Sequence, residues 1–310
     1  MATHPEFNRE TTSEQVAEVF SSQIQGKTSK PPKSAPINLT PPVLITGVSP
    51  NGLGEAMVIA LALQAPATLI LTARDPGKAD AVAQKVQNLN RSVNIRILKL
   101  DLSDQRSVRE SADELLRTVE KVDILINNAG VMALPERTLN EDGIEMHFAT
   151  NFLGHFLFTN LTLQILSPNG RIINITSGGY AVTPIRFSDI NFDGTKPLSA
   201  SELPNYELAA KLGLTDLDKT KGYVPFLAYL HSNTANMLFT TSLAETLKMK
   251  GIHSFSAAPG VVATELQRHI GGFRNPVMQY KIASQGAATF LVAALDPGLK
   301  GIYRSRGKWK

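Results

Sequence analysis

Residues 43–54, V-L-I-T-G-V-S-P-N-G-L-G, decide how this chain is read. Val43, Leu44 and Ile45 are an apolar run with the character of a buried strand. Gly47, Gly52 and Gly54 then punctuate a turn that leads into the amphipathic stretch 55–64. A strand, a glycine turn and a helix start let the backbone come close to a pyrophosphate, whose charge is attracted by the free N–H groups and the positive dipole end of the helix. A glycine turn that binds nothing has the same spacing, so this one takes its meaning from the rest of the chain.

Working outward, the pattern alternates. Strands are expected at Thr68–Ala73, from Ile95 through Ile97 and Leu98 to an end at Asp101, at 124–126, at 171–175 and at His253–Ala257. Helices are expected at 78–89, from a cap at Ser103 or Asp104 through Val108, Ala112, Leu115, Val119 and Val122, at 142–166 and at 229–250. Alternation of this length predicts an α/β protein with a doubly wound parallel sheet flanked by helices. N-terminal to it, residues 8–25 are expected to form a helix with Val16, Ala17, Val19, Phe20 and Ile24 on one face. Five prolines within 29–42 mark an extended linker. The expected organisation is an N-terminal helix and Pro-rich linker over 1–42 and one domain over 43–310, with a substrate-side insert at about 179–225.

The 310 residues, 43% of them hydrophobic, suffice for one α/β domain with a sizeable core. There is no cysteine, which excludes a disulfide framework and a catalytic thiol, and no metal site is expected. The net charge of +4 includes five cations at the end of the chain (Lys300, Arg304, Arg306, Lys308 and Lys310); without them the rest carries −1, so a nucleic-acid surface is not expected. The N-terminal stretch lacks the basic start and apolar core of a secretory signal, and no run of about 18 apolar residues could span a membrane, so a cytoplasmic protein is expected.

An ordered set of motifs makes the chain resemble a known family. Thr46-Gly47 through Gly52 and Gly54 is followed by Asp101-Leu102, Asn127-Asn128-Ala129-Gly130, Asn151, the I-T-S ending at Ser177, Tyr229, and Pro259-Gly260 with Thr264. Their order and distances are similar to those of the classical short-chain dehydrogenases/reductases, over about residues 43–303. Within that family the chain resembles the retinol-dehydrogenase-like and WW-domain-oxidoreductase-like group, particularly its fungal members, several of which accompany secondary-metabolite pathways. The resemblance implies a Rossmann-type sheet of about seven strands and a nicotinamide cofactor. It carries cofactor contacts over to Gly47, Ser49, Gly52, Leu53, Gly54, Asp101, Leu102, Asn128, Ala129, Gly130, Tyr229, Asn233, Pro259, Gly260, Val262 and Thr264. Arg74 stands at the end of the second strand, where a relative using NAD would present an acid. A guanidinium there pairs with a 2′-phosphate, so NADP(H) is expected. The chain departs from the family in having four residues, rather than three, between Gly47 and Gly52. It also separates Gly26-Lys27-Thr28 from the first strand by the proline-rich piece.

For catalysis the resemblance implies Tyr229 as proton donor, Ser177 as holder of the substrate oxygen and Asn151 as anchor of a relay water. The family's lysine, four residues after the tyrosine, is replaced by Asn233. An amide one helical turn from Tyr229 can still hydrogen-bond a ribose hydroxyl but supplies no positive charge. Carbonyl reduction, which uses the neutral phenol, is therefore expected to suffer less than alcohol oxidation, which needs the anion. His231, two residues along the helix from Tyr229, is expected at the surface. Phe187, Phe192, Tyr206, Leu212 and Phe226 are candidates for an apolar pocket, and 261–285 corresponds to the family's lid. The reading is an NADP(H)-dependent oxidoreductase reducing a ketone or aldehyde of medium size, with a small molecule as its partner and a homodimer left open. Two alternatives remain: a cofactor-binding pseudoenzyme, and a non-redox isomerase, dehydratase or cyclase.

Overall fold

Val43–Ile45 is the three-residue strand β1, on which the sheet is centred. It pairs in parallel with β2 (Thr68–Ala73) on one side, Leu44 facing Ile70, and with β4 (Val122–Asn127) on the other, Leu44 facing Leu125. Beyond β2 lies β3 (Asn94–Lys99); beyond β4 lie β5 (Leu166–Ile175) and β6 (His253–Ala257), giving the order β3-β2-β1-β4-β5-β6. The computed structural model describes residues 2–25, 42–66, 68–211, 214, 217, 222–269 and 280–300. Six strands are found among these residues, one fewer than the seven expected.

Between and around the strands run α1 (Ser13–Val19), α2 (Ser21–Ile24), α3 (Leu53–Ala62), α4 (Pro76–Leu89), α5 (Gln105–Thr118), α6 (Gly154–Thr162), α7 (Tyr206–Lys211), α8 (Pro225–Thr246) and α9 (Ala283–Leu295). Side-chain alternation along β1 divides the core. Val43 and Ile45 pack with Leu69, Leu71 and the apolar faces of α1, α3, α4 and α9, whereas Leu44 packs with Ile70, Leu125, Ile172 and the faces of α5, α6 and α8. A sheet covered on both faces explains why its strands are continuous apolar runs.

Several expectations are corrected. The N-terminal helix does not span 8–25: it begins after Thr12, which caps it in a box with Gln15, and it breaks at Phe20 into α1 and α2. Val16, Ala17, Phe20 and Ile24 are buried, but Val19, expected on the same face, is 44% exposed. The helix expected over 142–166 is shorter and irregular. Leu139 and Glu145 form an isolated antiparallel bridge, Phe148–Leu153 is a π-helix, and α6 follows. At Gly154, the first residue of α6, a Cβ would lie 2.2 Å from the Leu102 carbonyl oxygen, so only glycine lets this turn approach the segment that follows β3. α8 begins four residues before Tyr229, with Pro225 at its first turn. Asp104, not Ser103, caps α5, accepting from the Arg106 N–H at 2.8 Å.

The linker meets the sheet at Pro42, whose carbonyl accepts from the Asp123 N–H at 3.1 Å. Deleting residues 29–41 while keeping Pro42 is expected to move the melting temperature by no more than about 3 °C, as loop closure costs little. A calorimetric drop much larger than that would show that the segment packs on the domain.

Candidate active site

The site starts at the C-terminal end of β1, where open parallel sheets bind ligands. Gly47 takes φ +69°, and a Cβ on it would lie 2.5 Å from Ala129 Cα, so the turn after β1 touches the turn after β4. Thr46 and Asn128 fasten the two. The Thr46 hydroxyl accepts from the N–H groups of Asn128 and Ala129 at 2.9 and 3.0 Å, while Asn128 Nδ2 donates to the carbonyls of Thr46 and Gly47 at 2.7 and 3.2 Å. The extra residue of the turn is absorbed by Asn51 in the left-handed region, φ 60°, with its N–H held by the Glu55 carboxylate at 2.6 Å. α3 then begins at Gly52, which is extended and offers no side-chain cap, so the free N–H groups of the first turn remain available to an anion.

At the end of β2, Arg74 is exposed. The neighbouring carboxylate of Asp75 is engaged as the cap of α4, accepting from the Gly77 N–H at 3.0 Å. Asp101 holds Ser103 through its N–H at 3.0 Å and its hydroxyl at 2.6 Å, and Leu102 is buried beneath Gly154.

The opposite half of the site lies on the first turns of α8 and the end of β5. Desolvation pushes the Tyr229 phenol above its ordinary value, and the neighbouring Asn233 and Ser177 side chains oppose the shift. Asn233 is buried, its Nδ2 also donating to the Tyr229 carbonyl at 2.9 Å and its own carbonyl accepting from the Thr176 hydroxyl at 3.1 Å. Ser177 accepts from the Gly179 N–H at 3.3 Å.

Asn151 sits in the π-helix, a bulge frequent at functional sites. Its side chain clasps Val131, accepting from the N–H at 2.8 Å and donating to the carbonyl at 3.0 Å, and it donates to Ser232 Oγ at 2.9 Å. The Asn151 carbonyl accepts from Asn236 Nδ2 at 3.2 Å and meets His155 Nδ1 at 2.9 Å, which makes His155 Nε2 the acceptor of the Thr46 hydroxyl at 2.8 Å. Burial pulls His155 down to about 4, so it is neutral and ties the glycine turn to the π-helix.

One cleft of about 1,280 Å³ joins these parts: Asn51 and Leu53 at the glycine turn, Ser177 and Tyr229 at its floor, and Gly260 and Thr264 on the far wall. Gly52 and Gly54 shape the turn, and Pro259 and Val262 line the same wall, Val262 bridging to Lys281. Phe226 is the one member of the expected aromatic set that lines the cleft. Phe192 is buried at 1% in the insert, Phe187 is 71% exposed, Tyr206 is half-buried outside the cleft, and Leu212 lies outside the described residues, as does much of the expected lid. His231 is not at the surface. It is fully buried between Phe148 and Phe192, and desolvation pulls it down to about 3. Thr46, Ser232 and Asn236 stand within the sequence motifs but are given no role there; the last two are three and seven residues beyond Tyr229 and share its helical face. Among the described residues no metal-binding cluster occurs and no helix is long and apolar enough to cross a membrane.

The family model of short chain dehydrogenase matches residues 42–188. The oxidoreductase fscI of Fusarium equiseti is 36% identical over 260 residues, covering 82% of this chain and 94% of that protein. Human retinol dehydrogenase 11 is also 36% identical, over 264 residues, covering 83% of this chain and 74% of that one. A short-chain dehydrogenase from Sphingobium yanoikuyae, solved in complex with NADPH, shares the fold at 21% identity and a TM-score of 0.58, over 81% of this chain and 83% of that one. Motif order, sheet order and relatives agree: this chain belongs to the retinol-dehydrogenase-like group of the short-chain dehydrogenases/reductases, oxidoreductases that use NAD(P)(H).

Proposed function

We propose that the protein is an NADP(H)-dependent reductase of ketones or aldehydes of medium size and apolar character, acting in the cytoplasm and, as its fungal likeness suggests, in secondary metabolism. The observation that carries this reading is that Ser177 and Tyr229 line one cleft that runs on to an uncapped helix terminus. A protein that only bound a nucleotide would have no use for that pair.

The glycine turn fits the cofactor: Gly47 leaves room for close approach, and α3 offers free N–H groups to the pyrophosphate. Arg74 would take the 2′-phosphate. The presence of Asp75 beside it does not argue for NAD, because its carboxylate is already used in capping. The bound cofactor supplies a hydride. Ser177 would hold the carbonyl oxygen, and Tyr229 would give it a proton, a role served by a phenol kept neutral by burial. Asn151 would act through the walls, fixing Val131 and, through Ser232, the turn that carries Tyr229. The Phe226 side chain and the small wall residues Met132 and Ala133 suit an apolar substrate body.

The test is initial-rate measurement of NADPH and NADH oxidation with a ketone panel, beside Tyr229→Phe and Arg74→Glu. The expected result is turnover lost in Tyr229→Phe and, in Arg74→Glu, a preference for NADPH over NADH reduced at least tenfold, one charge-assisted bond being worth about 1.5–3 kcal/mol. Product formed without NADPH oxidation would replace this reading with a non-redox one.

A further inference from the structure

Behind Tyr229 lies a buried acid–base pair to which neither the motifs nor the mechanism above give a role. Glu145 and His147 are both 0% exposed, with His147 Nδ1 2.7 Å from Glu145 Oε1. The second carboxylate oxygen accepts from the Phe148 N–H at 3.0 Å, where the π-helix begins. The other imidazole nitrogen, Nε2, accepts from the Leu134 N–H at 3.3 Å. These partners assign His147 as the Nδ1–H tautomer, donating to Glu145. The His147 ring meets the Tyr229 ring edge to face, with centroids 6.4 Å apart at 65°. Leu134 continues the cleft wall of Met132 and Ala133, and its carbonyl accepts from the Tyr223 hydroxyl at 2.9 Å.

A buried carboxylate is costly, and replacing such a pair by apolar residues is often neutral or stabilising, so stability alone is a weak reason for this one. Its contacts point elsewhere. One end fixes the start of the π-helix that holds Asn151, the other fixes the wall at Leu134, and the ring between them packs on the tyrosine. We infer that Glu145 and His147 are positioning residues for Tyr229, setting the ring of the proton donor against the cleft wall. The inference rests on the assignment of Tyr229 as that donor. At position 233 this chain has an amide in place of the family's lysine, and the packing of His147 on the side of the Tyr229 ring adds to what Asn233 and Ser177 contribute. Displacement of a reacting group by about 1 Å costs on the order of a hundredfold in rate.

The test uses the full chain labelled with [ζ-13C]tyrosine, the Tyr229 signal being identified by its loss in Tyr229→Phe. His147→Phe keeps an aromatic ring but removes both hydrogen bonds; Glu145→Gln keeps an acceptor for Nδ1 while removing the charge. Both are expected to shift or broaden the Tyr229 signal while Tyr180, Tyr206, Tyr280 and Tyr303 keep theirs. Both are also expected to lower kcat for ketone reduction about ten- to a hundredfold with the NADPH Kd unchanged within twofold. His147→Asn, which retains a donor toward Glu145, should recover part of the signal and of kcat. A Tyr229 signal that stays in place in the variants that fold overturns the inference, whatever their rates. A parent protein without carbonyl turnover refutes the reductase reading instead, and the tyrosine signal still decides this one. Should His147→Phe fail to fold, Glu145→Gln and His147→Asn carry the same readout.

Discussion

An Asn233→Lys variant is expected to reduce ketones about a hundredfold faster than the parent at pH 7 and to gain still more in alcohol oxidation. When Tyr229 gives up its proton it becomes an anion in a site that already disfavours charge, and the side chains that counter this are two neutral ones, Asn233 and Ser177. An ammonium four residues along α8 lies one turn away and adds the missing attraction; loss of a comparable transition-state contact elsewhere costs about 10²–10³ in rate. The pH dependence carries the sign. With the phenol above its ordinary value of about 10, the proton-bearing form prevails throughout the neutral range. Parent reduction should therefore be flat from about pH 6 to 9, whereas parent oxidation should climb close to tenfold per pH unit. In the variant the rise in oxidation should begin at lower pH. Rates measured at the reduced-nicotinamide band across that range decide the matter; parallel profiles with unchanged rates would show that charge at 233 is irrelevant to Tyr229.

Removal of residues 2–25 is expected to destabilise the fold severely, up to loss of cooperative folding. Val16, Ala17, Phe20 and Ile24, all 5% exposed or less, belong to the same core cluster as β1, α3 and α9. Their loss strips cover from Ala56, Ala287 and Leu291 and breaks the polar ties of Thr3 to Asp296, at 2.8 Å, and of Ser13 to Ser284, at 3.0 Å. Each large buried side chain is worth about 1.5–3 kcal/mol, so the total rivals the 5–15 kcal/mol by which domains are stable. Thermal unfolding followed by circular dichroism should show a transition lowered by more than about 10 °C, or none. A sharp transition near that of the parent would make α1 and α2 an accessory.

Much of the fold was legible because its strands are covered on both faces and so read as apolar runs; β2 and β6 were expected with the bounds they have. The failures share a cause. Residues 142–166 keep a helical apolar pattern, whereas the clasp of Asn151 on Val131 and the contact of Gly154 with Leu102, which accompany the π-helix, join segments far apart in the chain. α8 has eleven buried residues distributed around its whole circumference, so no polar face marks where it starts. His231 does point away from Tyr229, as its spacing requires, but that side of α8 is roofed by Phe148 and Phe192, and the insert that brings Phe192 there has no periodicity to announce it. Of the site, the chemical groups were legible as motifs. What holds them together, Thr46 to His155 and Glu145 to His147, arises from residues 109 apart or from a two-residue step that sequence reading treats as featureless.

The tie between Ser13 and Ser284 spans 271 positions. During synthesis the apolar stripe of α1 leaves the ribosome first, and the α9 surface that covers it is made last. At about 5–20 residues per second this leaves the stripe uncovered for roughly 14 to 54 s. The segment is therefore among the last parts of this core cluster to close.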